Sequence, residues 1–296
     1  MESTSAGPRL TELGGARVVR QGRPKVYGSA AIAHGILILL SLLCGLPFLW
    51  MLLGTFKDFA ELTTYPPTLL PSAPTLKNYD EVLFQVNLAR ALLNSLVQSA
   101  SVTLATLLTS ALAGYVFAKY RFWGKEQLFI IILSTMMVPF SVVLVPLYVT
   151  VVDLGMNNSL LGIIVPAMIS TFGIFLMRQF VENIPGELID AGRIDGASET
   201  WIFFRVIVPL AMSALAALAI FTFMWHWDSF LWPTVVLTSP EVKTTPIVLA
   251  SLRSLFWTRY EIWMTGSMLT VAPVTLVYVF AQKHFIRGIA LTGIKV

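Results

Sequence analysis

The chain has 296 residues, of which 56% are hydrophobic and only 12% charged, with a net charge of +4 and a mean hydropathy of +0.76. Roughly a quarter of the residues of a soluble domain are charged, so a chain this poor in charge cannot cover a water-facing surface of its own size. The modest positive charge is what basic residues gathered on one side of a membrane produce; it is no signal for nucleic acid, and no nucleic-acid partner is expected. A single cysteine, Cys44, excludes an internal disulfide framework. The three histidines, His34, His226 and His284, are too far apart in sequence to suggest a metal site.

Charged residues punctuate the chain. Six stretches free of Asp, Glu, Lys and Arg are long enough to cross a bilayer, for which about 20 residues suffice: Val26–Phe56, Ala91–Ala118, Gln127–Val152, Leu154–Met177, Val206–Trp227 and Ile262–Gln282. Hydrocarbon offers no partner for backbone N–H and C=O groups, so each run is predicted helical. The expected helices cover about 29–54, 91–117, 127–151, 159–177, 206–227 and 262–282. The runs do not alternate as barrel strands do. The expected fold class is therefore all-α, a six-helix polytopic membrane protein.

Ahead of the first helix lies a polar, basic tail, residues 1–25, expected to be disordered. The first apolar run starts late and is about twice the length of a signal-peptide core, so a retained helix is expected. With the N-terminus inside, cytoplasmic segments hold 14 of the 20 basic residues. The positive-inside rule then places both termini in the cytoplasm, including the tail 283–296. Ser229–Pro240 is uncharged but too short to cross, and reads as a re-entrant or interfacial segment.

No carboxylate, Lys or Arg lies within the six runs. Proton relays and many ion-coupled carriers place such groups in the membrane, so a gradient-driven carrier is disfavoured. A membrane enzyme lacks any convergent acid, base or metal set. Nor is there a G-x-x-x-x-G-K-[ST] sequence to cradle nucleotide phosphates. If ATP drives this protein, the ATPase is a separate chain, gripping it from the cytoplasm at the loop 178–205.

That loop contains Pro185, suited to a helix start, and Glu187 and Asp190 near the positive end of the helix. Leu188, Ala191 and Ile194 form an apolar stripe at helical spacing. Gly196 suits a left-handed stop, and Ser198 a second N-cap. The reading is helix, tight turn, helix, with an apolar stripe available to dock in a groove on a partner.

Asp190-Ala191-Gly192, Asp195-Gly196-Ala197, Phe203 and Pro209 match the spacing of the E-A-A-x-x-D-G-A…P sequence of bacterial ABC importer permeases. Asp190 replaces Glu, Gly192 replaces the second Ala, and Val206 and Val208 stand for Ile and Leu. Leu76-Lys77-Asn78-Tyr79, Asn94-Ser95-Leu96 and the end Phe285–Lys295 also resemble the carbohydrate type. From about Ser29 to its end, the chain resembles MalG-like permease subunits of maltose-type carbohydrate importers of the bacterial inner membrane. The resemblance implies that Asp190, Ala191, Gly192, Asp195, Gly196, Ala197, Phe203 and Pro209 form the ATPase-coupling site. It implies a second homologous permease, two ATPase subunits carrying ATP and Mg, and an extracellular or periplasmic solute-binding protein. No cofactor or metal is expected on this chain.

For a sugar-like substrate, Trp225, His226, Trp227, Asp228 and Trp232 supply rings and polar groups, and Asn94, Ser95, Met136, Met137 and Phe140 are further candidates to line the pathway. The tryptophans fit interfacial anchoring better, and the remaining residues fit helix packing equally well. An ABC permease for glycerol phosphate, a polyol or another solute is the alternative.

Overall fold

The structure, a computed structural model, describes the backbone of residues 27–255 and 259–292 and the side chains of residues 32–252 and 259–279. The expected disordered tail, residues 1–25, lies outside the described residues. All regular elements among the described residues are helical. In chain order they are α1 (Tyr27–Gly54), α2 (Phe59–Thr63), α3 (Lys77–Asp80), α4 (Leu88–Lys119), α5 (Lys125–Ser134), α6 (Phe140–Asp153), α7 (Leu160–Ile164) and α8 (Thr171–Glu182). They continue as α9 (Gly186–Ile194), α10 (Glu199–Ile202), α11 (Val208–Leu210), α12 (Met212–Trp227), α13 (Leu231–Val236), α14 (Thr245–Leu255) and α15 (Tyr260–Thr292).

Two compact units divide the chain at Phe48. In the first, α1 carries Ile and Leu around its whole circumference, as a lipid-facing helix must. The second unit, from Leu49 onward, holds the end of α1 and the remaining elements.

Four described segments are long and apolar enough to cross a membrane: Ile32–Gly54, Leu88–Lys119, Leu160–Glu182 and Tyr260–Val279. The third and fifth apolar runs are each a bent pair, which brings the total to six if each pair is one span. Where the sequence reading draws one helix over 127–151, the axis turns by 99° between Met137 and Phe140. Val138 is extended there because proline's ring excludes helical geometry from the residue before it. The second bend, 78°, falls at Ala211, after a π turn over Phe203–Ile207 and the helix-breaking Pro209. At its end, α15 runs on as helix to Thr292, so residues 283–292 prolong the last helix.

α4 and α8 pack backbone to backbone. A Cβ on Gly114 would stand 2.5 Å from Met177 Cβ and 2.8 Å from Arg178 N. A Cβ on Gly173 would stand 2.3 Å from Ser110 Oγ. Helices in lipid gain little from apolar burial against each other and associate through such close van der Waals contact. Beside this crossing, the buried Arg178 donates to both oxygens of Glu126, at 2.9 and 3.0 Å, and lies over the Phe129 ring.

Gly114→Ala is expected to overpack the crossing and cost about 1–3 kcal/mol, lowering the thermal midpoint in detergent. Gly186→Ala, where a Cβ meets nothing within 4 Å, serves as the control and should leave the midpoint unchanged.

Candidate functional site

The hairpin between α8 and α12 has the form the sequence implies. Pro185 precedes the first turn of α9, Gly196 takes φ +78° in the turn, and Ser198 Oγ accepts from Trp201 N at 3.2 Å to cap α10. The main chain closes the turn through Asp195 N to Ala191 O, Gly196 N to Arg193 O and Ala197 N to Gly192 O. Gly192 also lets the two short helices approach, since a Cβ there would meet Ile202 Cγ1 at 3.2 Å.

Two kinds of contact hold the hairpin to the bundle. Ile189 and Ile202 are buried in a cluster with Tyr115, Met177, Phe203, Ile207 and Leu218 from the transmembrane helices and their extensions. Ile202 is 0% exposed. Burying an isoleucine away from water contributes about 1.5–3 kcal/mol, against about 0–1 kcal/mol for an exposed ion pair. The apolar cluster therefore anchors the hairpin, and the polar contacts orient it.

Those polar contacts converge on Glu199, whose side chain is 47% exposed. Its Oε1 accepts from Arg193 Nε at 2.7 Å across the turn. Its Oε2 accepts from Tyr115 OH at 3.2 Å and from Tyr120 OH, joining the hairpin to the end of α4. Lys119 donates to the carbonyls of Glu182 and Ile184 at the end of α8, where the helix dipole favours a cation. Arg193 bridges to Asp190 at 3.2 Å as well.

The Arg193 hydrogen bond, with that of Tyr120, holds the Glu199 carboxyl well below its ordinary value of 4.5, at about 2. Sequence reasoning missed Tyr115, Tyr120, Arg193 and Glu199. Arg193 and Glu199 flank the turn at opposite charge, which is a usable signal; their pairing with the two tyrosines is set by folding alone.

The outer surface of the hairpin carries exposed apolar side chains among charged ones. Leu188 and Ala191 of the predicted stripe are exposed, Ile194 is 86% exposed and Trp201 52% exposed. Asp195 is exposed, Phe203 is buried between Tyr115 and Phe204, and Pro209 lies at the base of α12.

Near the other end of α4 and α12, a cavity of about 540 Å³ is lined by Phe140, Trp225, His226, Asp228 and Trp232 from the predicted pathway set. Gln98, which sequence reasoning did not single out, lines it too. The remaining candidates lie elsewhere. Trp227 is buried and stacks on Phe223. Met136 and Met137 are exposed at the 99° bend.

Asn94 donates to the carbonyls of Glu241 and Lys243 at 3.0 and 2.9 Å. Ser95 Oγ donates to Thr245 Oγ1 at 3.0 Å and accepts from Thr245 N at 2.8 Å. These bonds fasten the segment before α14 to α4. Among the described residues no cluster of His, Cys, Asp and Glu is arranged to hold a metal ion.

Residues 107–291, which include the whole hairpin, match the family of binding-protein-dependent transport system inner membrane components. The chain belongs to that family. Within reach of it stands the arabinooligosaccharides transport system permease protein AraQ of Halalkalibacterium halodurans, 35% identical over 252 residues and covering 84% of this chain and 90% of the relative. The lactose transport system permease protein LacG of Rhizobium radiobacter is 34% identical over 257 residues, covering 87% and 93%. The fold is shared with a chain from a bacterial ABC transporter involved in the import of the acidic polysaccharide alginate, with a TM-score of 0.76 at 23% identity, over 89% of this chain and 99% of that one. This family member is thus a multi-pass protein of the bacterial inner membrane that serves in solute import.

Because the folded-state value of Glu199 is depressed, its contribution is present above about pH 4.5 and is lost as pH falls toward about 2. Amide exchange in residues 186–202, corrected for intrinsic rates, should stay slow from neutral pH to about 4.5 and accelerate below it. Glu199→Gln should remove most of that pH dependence.

Proposed function

We propose that this chain forms half of the translocation pathway of an ATP-driven importer for a sugar or sugar-like solute, and that α9–α10 is the element gripped by a separate ATPase. The reading is supported above all by the hairpin's division of labour: Ile189 and Ile202 pin it to α4, α8 and α12, while Leu188, Ile194 and Trp201 face outward with no role in crossing the membrane. Exposed apolar side chains on a short helix suit a groove on a partner, with the charged residues beside them available to its rim. The chain carries no phosphate-binding Gly-rich sequence of its own, so ATP and Mg belong to the partner.

In the assembly proposed, a second homologous permease completes the pore. Two ATPase subunits act from the cytoplasm, where both termini also lie, and a solute-binding protein delivers substrate from outside. Closure of the ATPases draws the hairpins together; the rigid attachment to α4 and α12 converts that movement into a rearrangement of the pore. Asp190, Ala191, Gly192, Asp195, Gly196 and Ala197 set the shape and charge of the gripped surface, and Phe203 and Pro209 carry the movement into α12. The sugar class is supported by the substrates in the names of the two permease relatives, together with the aromatic cavity.

Asp195→Lys reverses a charge on the gripped surface. Gly196→Pro removes the φ +78° that closes the turn and the N–H given to Arg193 O. In proteoliposomes containing the whole importer, each is expected to lower uptake at least tenfold while the chain still inserts and the ATPases still hydrolyse ATP. Normal coupled uptake with both variants contradicts the assignment of the hairpin.

A further inference from the structure

We propose that the apolar groove between α4 and the bent pair α11/α12 binds an anionic phospholipid, with an acyl chain in the groove and the phosphate on Arg205. The site does not depend on which solute is carried. Only its leaflet, the cytoplasmic one, rests on the orientation proposed above.

The groove encloses about 360 Å³. All eleven residues that line it are apolar, among them Leu104 and Leu108 of α4, Phe204 of the π turn, Val208 of α11, and Met212 and Leu215 of α12. Leu104 is 69% exposed, Phe204 52% and Met212 51%, so its open side looks outward. Both walls belong to segments apolar enough to cross a membrane, which makes hydrocarbon their surroundings. One turn of helix, about 10 Å across and 5.4 Å long, fills roughly 420 Å³. That exceeds the groove, which suits a thinner occupant. An acyl chain is one.

Charge chooses the lipid. Arg205 directly follows Phe204, at the hairpin end of the groove. It is exposed and makes no hydrogen bond or ion pair among the described residues. The nearest carboxylate in sequence, Glu199, is already held by Arg193, Tyr115 and Tyr120. A guanidinium beside an apolar groove suits a phosphate, which its planar fork can bind through two N–H groups. In phosphatidylcholine the lipid's own cation competes for that phosphate; phosphatidylglycerol leaves it available.

The groove also crosses a hinge. Phe204 and Val208 precede the 78° bend at Ala211, and Met212 and Leu215 follow it. A chain seated there touches both arms and favours the angle the structure shows.

The test places the complete importer in phosphatidylcholine nanodiscs with a trace of phosphatidylglycerol carrying a diazirine in its acyl chain. After irradiation, adducts mapped by peptide mass spectrometry should concentrate on residues 104–111 and 203–219, and unlabelled phosphatidylglycerol should compete them away. Arg205→Gln should reduce them about fivefold, the effect of one basic residue near anionic lipid, and Arg205→Lys should retain most of them. Arg121→Gln, at another exposed arginine near the same end of α4, should leave them unchanged. Ala216→Phe, which fills the groove, should abolish them.

Equal labelling by a phosphatidylcholine diazirine, or labelling indifferent to Arg205→Gln, overturns the site and leaves only unselective lipid contact. Groove adducts on this chain alone but none in the complete importer overturn it in favour of a cover supplied by the sister permease. Neither result touches the importer reading, which is decided by uptake.

Discussion

The close crossing of α4 and α8 is the contact on which the rest of the molecule depends. Gly114 admits the Met177–Arg178 backbone, and Gly173 admits the side chain of Ser110. In hydrocarbon, apolar side chains gain nothing by leaving lipid for protein, so helices hold together only where their surfaces fit. Residues without a Cβ give the closest fit. Because α8 runs directly into the hairpin and α4 ends against it, the geometry of this crossing fixes where α9 and α10 stand.

α4 links the two candidate sites. Its 32 residues make a rod about 48 Å long. Gln98 meets the cavity, and Tyr115, with Tyr120 just beyond the helix, holds Glu199 of the hairpin. Gln98 and Tyr115 are separated by about 25 Å of continuous helix. A straight hydrogen-bonded helix transmits displacement with little loss, whereas the bent pairs α5/α6 and α11/α12 offer hinges at Val138–Pro139 and Ala211. Under the proposed function, this division between rod and hinges is what lets force at the hairpin reach the solute pathway.

Much of this was legible in the sequence because the bilayer leaves so few choices. Charge-free runs had to be helices, and their number and approximate limits follow from the position of Lys, Arg, Asp and Glu. The hairpin was equally legible, since Pro185, Gly196 and Ser198 each act locally: a fixed φ, a permitted positive φ, a side-chain cap. The bends were less so. Pro139 and Pro209 were visible, but proline in a membrane helix is compatible with a mild kink as well as a turn of 99°, and neighbouring helices decide which.

What remained hidden depends on long-range packing. Gln98 reads as one more polar residue in α4 until α13 brings Trp232 to the same cavity. Asn94 and Ser95 read as pathway residues until Lys243 and Thr245 arrive beside them. In the Glu199 cluster the Arg193 pairing is local, but Tyr115 and Tyr120 come from the end of α4, far enough away in sequence to give no hint of contact.

The central claim is that an ATPase encoded by another chain powers transport by gripping α9–α10. Its most direct test is solute flux into sealed vesicles holding this chain and its sister permease, measured with the ATPase subunits present and absent, with binding protein and ATP supplied on their proper sides. The account predicts accumulation against a gradient only when the ATPase subunits are present. Accumulation at the same rate without them would contradict it.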